Sequence, residues 1–111
     1  MKNFQQPGET ISVLAPRDVT SGAGVLVGTL FGVAATDALT GAAVEITRRG
    51  VFTGVPKTSA QAWTVGAKIY WNNTAFVFTT ASSGNTLVGA AMAVAVNPSD
   101  TGDVLLDGAV R

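Results

Sequence analysis

Cysteine and histidine are both absent from this chain of 111 residues. Without cysteine there is no disulfide and no thiolate metal site. Without histidine the commonest general base and the commonest zinc ligand are missing together. A serine or threonine nucleophile has no imidazole to activate it, and a serine–lysine pair built on Lys57 or Lys68 has no motif behind it. Charge is scarce as well: Asp, Glu, Lys and Arg make up 13% of the chain, against about 25% in an average soluble domain. Seven basic residues balance seven acidic ones, so no net field draws nucleic acid or an anionic membrane. Aromatics are only 7% of residues while hydrophobic types reach 47%, so Ala, Val and Leu supply most of the apolar content. A small domain so short of charge has trouble covering its surface with polar groups. Part of that surface is therefore expected to meet another protein chain.

The length suits one domain and is short for two well-buried cores, so residues 1–111 read as a single β domain. The opening MKNFQQPGET lacks the apolar core of a signal peptide and reads as an arm over residues 1–8, or as a first strand. The rest is a succession of short β-prone runs separated by Gly, Asn, Ser, Pro or Asp. Ile11, Val13 and Ala15 alternate with Thr10, Ser12 and Leu14 until Pro16; Val44 and Ile46 alternate with Glu45 and Thr47; Ile69 and Trp71 face away from Tyr70. Asn72-Asn73 reads as a tight turn into AFVFTT, and Leu87–Val96 as one long buried strand. Residues 97–103 read as a loop. Only residues 56–64, bounded by Pro56 and with Ser59 as a cap, hint at helix. The expectation is an all-β barrel or sandwich of about seven or eight short strands, with at most one short helical turn. No internal repeat at a fixed period is evident.

The run Gly24–Ala34, GVLVGTLFGVA, carries glycines four apart and invites two sharper readings. As a membrane helix it fails, because both flanks, Asp18 and Asp37, are acidic and the apolar part is too short. As a dinucleotide loop it misses the glycine spacing and no helix pattern follows. A hairpin fits instead, with Gly28-Thr29 as a type II′ turn. A second phosphate-loop near-match, GVFTGVPKT from Gly50 to Thr58, puts Pro56 where a glycine N–H is needed.

The remaining candidates are weak. Asp100, Asp103 and Asp107 form an acidic cluster without calcium-loop spacing. Arg48 and Arg49 would point to opposite faces of a strand. Trp63, Tyr70 and Trp71 offer either an interface or a core, and the core is the commoner fate of aromatics in a small barrel. Asn72-Asn73-Thr74 fits a glycosylation sequon. No catalytic, cofactor-binding or metal-ligating residue is assigned, and no cofactor is expected.

The order of segments resembles a family of small tailed-phage and prophage proteins, the capsid cement or head decoration proteins. The resemblance rests on MKNFQQPGETISVLAP, SGAGVLVGTLFGVA, GVFTGVPK, AWTVGAKIYW and NTLVGAAMAVA, which in that order cover nearly the whole chain. It implies a non-enzymatic β-rich virion protein on the outer surface of the phage head. Such a protein clamps neighbouring major capsid subunits and works as a small homo-oligomer, with a trimer favoured and neither nucleic acid nor membrane as partner. Some relatives carry a recombinase label, which would imply nucleotide or nucleic-acid handling; the Walker loop and α/β core that this needs are missing from the sequence pattern. A receptor- or glycan-binding module is a further alternative. Within the opening arm, Asn3, Phe4, Gln5, Gln6 and Pro7 are the expected contacts to a capsid subunit or neighbour, with Pro7-Gly8 as the pivot.

Overall fold

The computed structural model describes residues 10–110. They form nine strands: β1 (Thr10–Leu14), β2 (Gly24–Val27), β3 (Leu30–Ala34), β4 (Ala43–Thr47), β5 (Arg49–Pro56), β6 (Lys68–Asn72), β7 (Val77–Thr79), β8 (Thr86–Ala91) and β9 (Thr101–Asp107). No helix occurs among the described residues, so the expected all-β class holds. The first sheet has the order β1-β4-β3-β2 and the second β5-β9-β8-β6-β7, with every neighbouring pair antiparallel. A parallel bridge from Lys57 to Phe78 brings the two ends of the second sheet together, curling it towards a barrel.

Residues 24–34 form the expected hairpin. Val27 pairs with Leu30 across Gly28-Thr29, and Gly28 has φ 61° while Thr29 stays out of the positive-φ region, as a type II′ turn requires. Gly24 and Gly32 serve internal packing. A Cβ on Gly24 would lie 2.6 Å from the Trp71 ring, and one on Gly32 would lie 2.9 Å from the Thr47 carbonyl oxygen. β3 is consequently buried on both faces: Phe31 and Val33 join the core of the second sheet, and Ala34 joins that of the first.

The two sheets share one connectivity. β1–β4, β2–β3 and β3–β4 in the first sheet correspond to β5–β9, β6–β8 and β8–β9 in the second. The loops repeat as well. Residues 20–25 (TSGAGV), 39–44 (LTGAAV) and 64–69 (TVGAKI) each enter a strand through a Gly-Ala step, and Gly22, Gly41 and Gly66 have φ 92°, 84° and 88°. In each, the glycine N–H donates to an alanine carbonyl and that alanine returns a bond to the Gly-Ala step: Gly22 with Ala34, Gly41 with Ala15, Gly66 with Ala91. Paired backbone bonds also join Val19 to Ala38 in the first half and Trp63 to Ala95 in the second. An internal repeat therefore exists. A reading for a fixed period misses it because the repeated glycines, at 22, 41 and 66, are unevenly spaced.

The second half differs by an insertion after β6. The chain does not turn tightly at Asn72-Asn73; β7 begins only at Val77. Asn72 Oδ1 accepts from the Thr74 and Ala75 N–H groups, which winds a wider turn, and Phe76 is held at φ 58°. This insertion ties the halves together. Phe78 and Trp71 pack with Phe31 at centroid separations of 5.0–5.7 Å, and Arg17 lies 4.0 Å over the Phe76 ring. Burial forms two clusters, one per sheet, with Phe31 and Val33 crossing from the first sheet into the second cluster.

Candidate interaction surface

The aromatic candidates divide. Trp63 and Trp71 are buried, whereas Tyr70 is half-buried and faces outward opposite Leu87. Gly102 leaves room for Trp63, since a Cβ there would lie 2.4 Å from its ring. Arg48 donates from Nη2 to the Gly108 carbonyl at 2.6 Å, and Arg49 sits opposite Asp107 on the neighbouring strand. Asp103 accepts from the Gly54 N–H and Asp107 from the Ala109 N–H, so both acids shape local backbone. Among the described residues no group of acids is placed to hold a metal ion. Asn3, Phe4, Gln5, Gln6 and Pro7 lie outside the described residues.

GVFTGVPK is a strand with a bulge. Gly54, at φ 66°, sits where the β5–β9 register shifts, after which Val55 returns to the core. Lys57 is only 3% exposed, and its ammonium donates to the carbonyl oxygens of Thr58, Gln61 and Ser99. A lysine whose three donors face inward onto backbone carbonyls is not presented to a phosphate. Its work is to pin the loops around residues 58–61 and 97–100 to the end of β5.

The first-half loops are joined by two reciprocal carboxylate caps. Asp18 Oδ1 accepts from the N–H and the hydroxyl of Thr40, both at 2.8 Å, while Asp37 Oδ1 accepts from the Ser21 N–H at 2.8 Å. The Thr40 backbone N–H, and then its hydroxyl, hold the Asp18 carboxyl below the usual carboxylate range. A carboxyl whose folded pKa lies below its unfolded value stabilises the fold above the unfolded value, near pH 4, and loses that contribution as pH falls through the folded pKa. Asp18→Asn should therefore melt below wild type at neutral pH, and the gap should close on acidification below about pH 4. Thermal melts across pH check this; a gap that stayed constant would refute it.

Exposed apolar side chains mark the surfaces. Leu87–Val96 is not one buried strand: β8 ends at Ala91, and beyond it Met92, Val94 and Val96 point outward while Ala95 turns in to bridge Trp63. The alternation in MAVAV was visible in the sequence, but its outward sense was not, because all five residues are apolar. On the outer face of the second sheet Val51 stands beside Leu105, and Leu105 beside Ala90. In the first half Leu39 projects from the β3–β4 connection.

The chain is all-β, with apolar side chains left outward and its phosphate-loop look-alike folded into a strand. No curated protein and no solved structure matches the chain. The family model described as phage cement protein matches residues 5–106. By that match, over nearly its whole length, the chain belongs to the phage cement protein family.

Proposed function

We propose that the protein is a non-enzymatic component of the phage virion that attaches to the outer surface of the head and bridges neighbouring major capsid subunits. Membership of the cement family carries this reading. The exposed Leu39, Val51, Val94 and Val96 support it, because they are apolar surface that a partner would cover. Binding the assembled shell but not its dissociated subunits stabilises the shell by mass action, with no chemistry required. The protein acts as a homo-oligomer, with a trimer favoured, since short sheets with open edges gain most from symmetric association. It forms one domain over residues 1–111, and the arm with Asn3, Phe4, Gln5, Gln6 and Pro7 adds to the contact. A nucleotide-handling role finds no support in the buried, carbonyl-bound Lys57.

The test is add-back to heads that lack the protein. Wild type should co-sediment with the heads in stoichiometric amount and raise the temperature at which they release DNA. Protein lacking residues 1–7 should attach more weakly with its fold unchanged by circular dichroism. Wild-type protein that stays in the supernatant would overturn the proposal.

A further inference from the structure

The repeat leaves each half with a corresponding groove beside its loop bridge. In the first half the groove is lined by Val19, Ala38, Leu39 and Ala42 together with Asp18 and Asp37. In the second Val94, Ala95 and Val96 share the lining with Ser99, Thr101 and Asp103. Ala38 and Ala95 are the matching bridge residues, and the residue after each is a large exposed hydrophobe: Leu39 at 72% and Val96 at 67%. Val94, at 71%, lies on the other side of Ala95. Both grooves therefore set exposed apolar side chains beside at least one carboxylate, the first mainly apolar and the second mixed. No Lys or Arg lines either among the described residues.

We infer that the two grooves are a pair of equivalent docking sites, each taking an apolar segment that carries a basic residue from a separate shell subunit. The inference rests on the capsid-bridging reading and supplies its geometry. A repeated site on one chain suits a repeated element on its partner, and a shell offers the same segment on adjacent subunits. Charge complementarity sets the chemistry: carboxylates beside exposed apolar side chains favour a Lys- or Arg-bearing segment and oppose an acidic one. The exposed apolar residues supply the buried contact. With two sites on one rigid body, the second engagement is intramolecular, so attachment exceeds what either groove gives alone. Bridging then follows from the fold of a single chain, with oligomerisation adding further links.

Three full-length variants test this: Leu39→Glu, Val94→Glu with Val96→Glu, and all three together. The altered side chains are exposed, so circular dichroism and melting temperature should match wild type; Thr29→Glu, in the β2–β3 turn away from both grooves, is the control. Binding to heads lacking the protein is measured by sedimentation over a concentration series. Each single-groove variant should lose ~100-fold or more in apparent affinity, and the combined variant should not bind. If either single-groove variant binds within about threefold of wild type, the paired-site inference is overturned while the capsid-bridging reading stands. If the groove variants instead dissociate an oligomer in solution without heads, the grooves are a self-interface and the inference is wrong. If wild type itself does not bind, the bridging reading falls and takes this inference with it.

Discussion

Replacing Trp71 by alanine is expected to destabilise the protein by about 3–5 kcal/mol, the usual range for deleting a fully buried large aromatic. Trp71 is 1% exposed and does three things at once. Its ring packs against Phe31 of the first half at 5.2 Å and against Phe78 of the inserted strand at 5.0 Å. It lies flush on the β2 backbone, where only a glycine at position 24 leaves room. Its indole N–H donates to Asn73 Oδ1 at 3.0 Å, which anchors the β6–β7 turn. A melting temperature lowered by roughly 15 °C or more is the expected readout in calorimetry. A loss under about 1 kcal/mol would mean that the sheets do not depend on this contact.

The second large effect is expected from adding a single methyl group. In Gly89→Ala the new Cβ would stand 1.9 Å from the Leu105 carbonyl oxygen and 2.9 Å from its carbonyl carbon. Both atoms are backbone, so relief requires strand β9 to move away from β8, against the pairing of Ala90 with Leu105 and Ala91 with Val104. Gly89 has no positive φ, so the cost is steric and not conformational. The alanine even gains a few tenths of a kcal/mol by restricting the unfolded chain. Overpacking of this kind should cost about 3 kcal/mol, near the upper end of its ordinary range. Gly32 is the corresponding glycine of the first half, and a Cβ there would meet the Thr47 carbonyl oxygen at 2.9 Å and Ile46 Cβ at 3.0 Å. Gly32→Ala should therefore be the milder change. Urea unfolding of the two variants gives the ranking, and a reversed order would contradict the steric account of the two sites.

The local features could be read from the chain because they depend on few neighbours. The Gly28-Thr29 hairpin needs only a glycine able to take positive φ between two β-prone runs. The inward set Val44, Ile46, Ile69 and Trp71 follows from alternation with polar residues. Where the residues on both faces are apolar, as in MAVAV, alternation carries no sign, and the outward turn of Met92, Val94 and Val96 had to come from the bridge between Ala95 and Trp63. The Asn72-Asn73 expectation failed for a related reason: an asparagine side chain bonding forward to Thr74 and Ala75 wins over a two-residue turn.

By itself the sequence determined an all-β chain with its hairpin and its family marks, because these follow from residue type and local spacing. Only the tertiary structure decided that the connectivity is used twice, that Lys57 faces inward onto three carbonyls, and that two corresponding grooves stand open. Those features are made by residues far apart in the chain, Asp18 with Thr40 and Trp63 with Ala95 among them. The Trp63–Ala95 contact leaves little mark on local sequence, since a residue with almost any side chain can make a backbone hydrogen bond.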